Sequence, residues 1–520
     1  MSAWCAGGAG ALLLFGWLLL RFTDSAAPGT GADVPIYLLS AQWLAPLAPA
    51  SEAAEHAARH SLFPPLYPLL LALGAGGDIR LARAVTALCL PLAVLACAAW
   101  ARAAGRGPRE AIAFAACVAL LPATWLASLE QLSEPLYLAL SLGALACAAR
   151  SANRRGPALL AAALLCGLAA LARSAGAALV LAFGIWLLRA PGEPRSRRLP
   201  ALALAAAPPL AWTAARALLD LGASYADVHA ARLELVAADP LRALAAVLAG
   251  QAAALAGAAT RLFSLFPTPL ERGLAAGVAL LALAGWASRL RRLELDALYL
   301  GLYLLVLLAW PFPAHAERFL YAVAPLLLFH AGESAAELAS RSRPGLAARL
   351  RAALLLLCLL LPLPALHFLA ARHAEGSARS YADFTRTPRW FTRRALAQAE
   401  FDAVMRRDEV AAMRRAGEIV PPGACVFAVK PLELMLHADR VSRLPPPEEL
   451  EASAFDSALA DCDYVFAEPL VVFPYRSAFH PVAALGERFE LIERIEASPE
   501  AGGRRAPPSA LLGRIRRAGR

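Results

Sequence analysis

Three ionisable residues interrupt apolar runs that otherwise hold almost none. Glu134 opens one such run, Arg173 breaks a second, and Arg318 stands beside Glu317 and His315 at the head of a third. A charge at the edge of a lipid-soluble segment is costly unless it caps a helix, lines a cavity or meets a partner. Arginine in such a place can hold a phosphate in its planar fork of donors, or simply reach back to the interface. Glu130 precedes Glu134 by four residues and shares its face if the turn between them is helical. A second group lies in the long loop 22–79: Asp24, Asp33, Glu52, Glu55, His56 and His60. A carboxylate at a membrane surface can act as general base on a hydroxyl or hold a divalent metal. Asp33, in Gly31-Ala32-Asp33-Val34-Pro35-Ile36-Tyr37, suits either role, or that of a solvated loop acid. Glu52, Glu55 and His56 fall at helical spacing, which fits a metal site or an ordinary wet helix face.

Other chemistries have no residues to carry them. The chain has no Gly-rich phosphate loop, no C-x-x-C, no H-E-x-x-H and no G-x-S-x-G. Seven of the nine cysteines fall in or beside apolar runs, where cysteine is a small packing residue. The other two, Cys425 and Cys462, each stand at the start of an apolar strand-like segment. If those strands are parallel neighbours, the two thiols share one sheet edge at disulfide distance; if not, they stay unpaired.

These residues must be positioned by membrane helices. Of 520 residues, 59% are hydrophobic and 17% charged, and mean hydropathy is +0.54. A soluble globular protein carries about 25% charged residues, so a cytosolic enzyme, a disordered chain and a disulfide scaffold are excluded. Apolar runs recur at about 3–21, 80–101, 110–128, 133–150, 157–172, 174–189, 199–217, 273–289, 295–312, 317–332 and 347–369. In lipid each must be helical, because its backbone polar groups find no water. The net charge of +10 does not point to nucleic acid, since no basic patch interleaves with aromatics. The excess lies instead in alternate loops. Residues 1–370 hold 28 arginines, and 17 of them fall in five loops around 102–109, 150–155, 189–198, 289–292 and 341–351. By the positive-inside rule those loops are cytoplasmic. Eleven spans then place the N-terminus inside and residues 370–520 outside. The first span is followed by small residues at Ser25-Ala26-Ala27, as a signal peptide would be, but its lack of a basic leader favours an uncleaved helix.

Two outside loops, 22–79 and 218–272, are long enough to suggest function. The Pro-rich segment around Tyr67 suits an interfacial or re-entrant helix, and 241–262 a helix that does not cross. After residue 370, strand-like 425–429 and 464–467 alternate with helix-like 393–417, 431–437 and 448–460, which predicts a small α/β domain with a parallel sheet. Residues 497–520 read as frayed. The expected fold is an α-helical polytopic membrane domain over 1–370 and an extracytoplasmic α/β domain over 371–520.

The chain resembles the integral-membrane GT-C glycosyltransferases that use a polyprenyl-phosphate sugar as donor. These include protein O-mannosyltransferases, aminoarabinose transferases of lipid A and lipopolysaccharide glycosyltransferases. The matching pieces run in family order over roughly 1–370: Gly31-Ala32-Asp33 with Tyr37, Phe63-Pro64-Pro65-Leu66-Tyr67-Pro68, Leu132-Ser133-Glu134-Pro135-Leu136-Tyr137, Gly167 to Arg173, and Glu317-Arg318-Phe319-Leu320-Tyr321 with Pro325. The first loop has no adjacent Asp-Glu pair, which makes a protein acceptor the weaker fit, and Ala172 stands where Thr is common. The resemblance implies inverting transfer of a hexose or pentose to an envelope lipid, glycan or protein, in the bacterial plasma membrane. Asp33 and Glu134 would be catalytic, and Arg318 and Arg173 would hold the donor phosphate. Tyr37, Tyr67 and His60 would position the loop or acceptor. No cofactor is implied beyond a possible divalent metal, with Glu52, Glu55 and His56 as candidate ligands. A flippase of lipid-linked sugars and a non-catalytic assembly protein are the alternatives. A flippase would place ionisable groups at mid-membrane and show related halves.

The topology is directly testable. Reporter fusions after Arg198 and Arg351 should read cytoplasmic, and fusions after Ala374 and Ser453 exported. An exported signal at Arg198 would reverse the whole orientation.

Overall fold

A computed structural model describes residues 16, 33–46, 50–75, 78–124, 131–151, 156–189, 195–219, 221–222, 240–264, 268–310, 316–340, 346–364, 366, 407–446, 457–469, 479, 482–499 and 508–516. The chain divides into two units. The first, helical unit takes Met1–Asp24, Leu62–Tyr67 and Arg83–Glu375; the second takes Ser25–Ser61, Pro68–Ala82 and Gly376–Arg520. Most of the first long loop groups with the tail.

In chain order the helices begin with α1 (Asp33–Leu44), α2 (Glu52–Arg59), α3 (Leu66–Ala75), α4 (Ile79–Ala103) and α5 (Pro108–Leu120). Next come α6 (Glu134–Arg150), α7 (Pro157–Ala172), α8 (Ala177–Leu188), α9 (Arg195–Leu218) and α10 (Pro240–Arg261). Then follow α11 (Pro269–Arg291), α12 (Leu295–Ala309), α13 (Ala316–Tyr321), α14 (Ala324–Ser340) and α15 (Leu346–Leu360), with α16 (Pro431–Ala438) in the tail.

Among the described residues three helices are long and apolar enough to cross a membrane: Leu81–Ala103, Arg198–Leu218 and Pro269–Arg291. Shorter apolar helices lie at Pro157–Ala172, Ser174–Leu188 and Leu295–Ala309. Three of the eleven expected spans, 80–101, 199–217 and 273–289, thus have full-length counterparts among the described residues. The run 317–332 is divided between α13 and α14, and the first span lies outside the described residues except for residue 16.

Small side chains let the helices close on one another, the usual device where lipid removes a hydrophobic drive between them. A Cβ at Gly167 of α7 would stand 2.8 Å from Pro208 Cγ and 2.9 Å from the Ala205 carbonyl oxygen of α9. Leucines point away from the body instead: Leu92, Leu181, Leu210, Leu280, Leu305 and Leu356 are all exposed. Such surface needs lipid or a partner to cover it. The start of α11 is held by a capping box, with the Thr268 hydroxyl accepting from Glu271 N–H and the Glu271 carboxylate from Thr268 N–H.

Three arginine-rich loops meet at one end of this unit. Arg106 pairs with Glu110 at 3.1 Å and with Glu333. Arg289 grips Asp296 with two bonds of 2.9 Å and reaches Glu294 and Glu333. Arg351 stands 3.5 Å from Glu110. The helix α6 runs from Glu134 to Arg150, and α14 from just beyond Arg318 past Glu333, so Glu134 and Arg318 mark the opposite end. The amide of Gln251, in the middle of α10, donates to the Trp310 carbonyl at the far end of α12. The mid-point of α10 therefore meets the body at the Glu134 end, as suits a helix that does not cross.

The second unit holds a five-stranded sheet of order β2-β1-β3-β5-β4, with β1 Val426–Ala428, β2 Ser442–Arg443, β3 Tyr464–Ala467, β4 Phe489–Ile495 and β5 Ala510–Ile515. The expected parallel pair is present, β1 beside both β2 and β3. Alternation sends Val426, Ala428 and Phe466 to one buried layer and Phe427, Val465 and Ala467 to another. Residues 407–419 form a helix, overlapping the helix-like stretch expected over 393–417, and its Val410, Ala412, Met413 and Ala416 are buried. Cys425 and Cys462 are joined in a disulfide with Cα atoms 4.6 Å apart, at the starts of neighbouring parallel strands.

Two corrections follow. The sheet is mixed, because β5 runs antiparallel to both β3 and β4. Residues 510–515 are an inner strand and not frayed; Gly, Pro and Arg within and around Ala510-Leu511-Leu512-Gly513-Arg514-Ile515 masked it. The first loop also packs here, with Leu39 of α1 and Ala53, Ala54 and Ala57 of α2 clustering with Met435 of α16.

Lys430, the single lysine of the chain, sits among three glutamates in this unit. It pairs with Glu409 and lies 3.9 Å from Glu433, while Glu468 is fully buried. Burial first, then the Glu409 charge, holds the Glu468 carboxyl well above its ordinary value, against the pull of Lys430. Above about pH 4.5 an unfolded chain releases this proton and the folded chain keeps it. The second unit therefore loses stability as pH rises through that window. Glu468→Gln keeps the shape without the acid. Its amide-exchange protection in β1 and β3 should exceed that of the wild type by a margin that widens from pH 5 to pH 8. A constant margin would remove Glu468 as the cause.

Candidate functional site

The three charges that break the apolar runs come together. Glu134 is the first residue of α6 and is completely buried. Its Oε1 receives Arg173 Nη1 at 2.6 Å and also Arg318 Nε. Arg173 caps the C-terminus of α7 in an extended conformation before a 3-10 turn, Ser174–Gly176, leads into α8. That reversal is tight: a Cβ on Gly176 would fall 2.6 Å from Ala170 Cα. Only glycine fits there, and the turn delivers Arg173 to the end of the body. Arg318 arrives on α13, the short helix before α14.

Aromatic and hydroxyl groups hold this arrangement. Both guanidiniums lie over the Phe319 ring, at 5.1 Å for Arg173 and 5.7 Å for Arg318. Ser133 Oγ accepts from Arg173 Nη1 at 3.3 Å. Beneath them, buried Tyr303 donates to the Phe319 carbonyl at 3.0 Å, and Tyr137 and Tyr299 share a hydroxyl bond of 2.7 Å. Ser133, Phe319 and the three tyrosines were not read as site residues from sequence. Tyr137 lies three positions beyond Glu134 and Phe319 directly after Arg318, which was the available signal.

One carboxylate facing two guanidiniums carries one excess positive charge. Arginine forks suit the oxygens of a phosphate. A carboxylate with no exposed surface and two cations on it suits a positioning role better than proton transfer.

The remaining candidates are distributed differently. Asp33 begins α1 in the second unit, and Tyr37 is buried on the same helix. Tyr67 is fully buried in the helical unit, its hydroxyl 2.5 Å from Thr86 Oγ1. His60 ends α2 exposed, with Nδ1 2.7 Å from the His56 carbonyl oxygen and its ring 4.4 Å from that of His56. Burial, and then the charges of His60 and Arg443, push His56 below its ordinary value. The expected metal trio is not assembled. Glu55 is turned along the helix to Arg59 at 2.8 Å, and among the described residues no three His, Cys, Asp or Glu side chains gather to hold a metal. Glu130 and His315, and the Glu317 side chain, lie outside the described residues.

No protein-family model and no curated protein matches the chain. Among solved structures it is similar to ArnT from Cupriavidus metallidurans in the apo state, at 13% identity over 99% of this chain and 98% of that one, with a TM-score of 0.49. ArnT bound to undecaprenyl phosphate gives 13% identity, 100% and 99% coverage and the same TM-score of 0.49. The archaeal oligosaccharyltransferase AglB from Archaeoglobus fulgidus, in complex with an inhibitory peptide and a dolichol-phosphate, gives 13% identity, 89% and 69% coverage and a TM-score of 0.44.

Removing one partner from a buried ion pair costs about 3–5 kcal/mol, because the other charge is stranded. Glu134→Ala should lower thermal stability in detergent by that order. Glu134→Ala with Arg318→Leu should recover part of the loss, since fewer stranded charges remain. Strictly additive losses would show that the two residues are not coupled.

Proposed function

We propose that the chain is an integral-membrane glycosyltransferase that moves a sugar from a polyprenyl-phosphate donor to a cell-envelope acceptor at the extracytoplasmic face. The observation that carries this reading is the pair of arginines, from separate segments, fixed on one buried carboxylate at the end of an apolar helical body. A lipid donor needs an apolar body to dissolve beside, and its phosphate needs fixed positive charge where that body ends. The arginine rhythm of the loops supports the assignment of sides.

In this reading the acceptor hydroxyl oxygen attacks the anomeric carbon as the bond from that carbon to the phosphate oxygen breaks. Asp33 takes the hydroxyl proton, and polyprenyl phosphate departs as an anion. Arg173 and Arg318 stabilise the charge that develops on the leaving phosphate. Glu134 holds the two arginines in place, and Phe319 fixes the plane of their forks. The configuration at the anomeric carbon inverts. Asp33 stands in the first turn of α1, with Tyr37 on the same helix.

The test incubates the purified full chain with radiolabelled polyprenyl-phosphate sugars and an envelope extract, and reads label in the acceptor. Asp33→Asn should lower transfer about 100- to 10,000-fold, the range for loss of a general base. Arg318→Ala should impair donor use more than Arg318→Lys, which keeps a charge but not a fork. Movement of intact lipid-linked sugar across vesicles without transfer would favour a flippase, and near-normal transfer by Asp33→Asn would exclude that residue as the base.

A further inference from the structure

No residue of the long segment 218–272 enters the transfer step, yet its helix α10 packs against α13, the helix that carries Arg318. The middle of α10 is built of alanine, leucine, valine and glycine. Between Arg242 and Thr260 its one polar side chain is Gln251. The usual order of burial is reversed here. Over 245–257 Gln251 is the one buried residue, 3% exposed, while Ala245, Ala246 and Leu248 are exposed. A buried amide is costly unless its hydrogen bonds are met, so this one is placed for what it holds.

The Gln251 side-chain amide donates to the backbone carbonyl of Trp310. At Trp310 the chain leaves α12 on its way to α13. The Trp310 N–H donates to the Leu307 carbonyl at 3.1 Å, so Gln251 fixes the other side of the same residue. The Trp310 ring meets that of Phe319 edge to face, with centroids 5.2 Å apart. Phe319 in turn lies under both guanidiniums, at 5.1 Å for Arg173 and 5.7 Å for Arg318.

We propose that Gln251 is a positioning residue for the donor phosphate, acting through Trp310 and Phe319 on the forks of Arg173 and Arg318. The inference rests on the reading of those arginines as the phosphate site. An edge-to-face pair has a preferred geometry, so a shift of the Trp310 backbone turns the ring on which the forks lie. A displacement of about 1 Å far from the reacting atoms can cost about 100-fold in rate. Recognition of a phosphate by planar forks depends on that geometry, whereas dissolving a polyprenyl chain does not.

The test separates the phosphate from the lipid chain. The purified full chain in detergent is titrated with decaprenyl phosphate and with decaprenol, and bound ligand is counted by native mass spectrometry. The wild type should prefer the phosphate. Gln251→Leu keeps the bulk of the side chain and removes the amide. It should bind decaprenyl phosphate about 10-fold more weakly, inside the range for such a displacement, and decaprenol as before. Trp310→Leu keeps the carbonyl that Gln251 holds and removes the ring, and it should show the same loss. The double variant should bind no more weakly than either single one, since both act along one path. Arg318→Ala calibrates the assay. If it loses the phosphate preference and Gln251→Leu does not, the inference fails alone and the glycosyltransferase reading stands. If Arg318→Ala binds as the wild type does, the phosphate site lies elsewhere and both fall. A lower melting temperature for Gln251→Leu with its phosphate preference intact would mean that the amide only closes the body, and would overturn the inference. Losses that simply add in the double variant would overturn it too.

Discussion

An ionised carboxylate with no exposed surface has to be met by cations from the protein itself. At Glu134 they come from two distant segments, one of them 184 residues along the chain. That requirement organises one end of the helical unit. It draws the α7–α8 reversal and the α13 segment against the start of α6, and it sets the Phe319 ring beneath both guanidiniums. A hydrophobic residue at 134 could pack as well and at lower cost in desolvation. A buried charge that carries a desolvation cost is better explained by what it presents than by what it stabilises.

The opposite end makes the contrast. There Arg106, Arg289, Arg292 and Arg351 interleave with Glu110, Glu294, Asp296 and Glu333, so that acids and bases alternate through the network. Such a lattice ties α5, α11, α12, α14 and α15 together and neutralises itself. At the Glu134 end two bases share one acid. The two ends therefore divide the work: one closes the bundle electrostatically, and the other keeps positive charge in excess near the surface.

The parts that could be read in advance were those in which a residue contradicted its surroundings. Glu134, Arg173 and Arg318 each broke an apolar run, and all three proved to be neighbours. The arginine loops announced one end of the body for the same reason. Cys425 and Cys462 were legible only as a conditional pair, bridged if their strands were parallel neighbours, and the structure supplies that condition. What could not be read were features that exist only through tertiary contact. Nothing local in Leu39, Ala53 or Ala57 says that they pack on Met435. Glu55 has metal-like spacing from its neighbours, but its i+4 arginine decides its direction. The β5 strand failed for a different reason, since window-based composition was dominated by its Gly, Pro and Arg flanks. Tyr137, Tyr299 and Tyr303 are ordinary aromatic residues in sequence and become a support only when α6 and α12 face each other.

The second unit shows how one late strand can complete a fold that begins far upstream. The parallel half, β2-β1-β3, is tied by Cys425–Cys462 and backed by α16, on which α1 and α2 pack. On its own it would leave the free edge of β3 unpaired, a surface on which other chains can pair. The strand β5 covers that edge and adds Leu512 to one buried layer and Ile515 to the other. The strand β4 then becomes the outer strand, bearing exposed Glu490 and Arg494, and charges on an outer strand discourage further pairing. The first loop thus rests on a domain whose sheet closes only when the chain has reached residue 515. The helix that begins with Asp33 is accordingly held by structure made last, and its placement reports on the integrity of the whole tail.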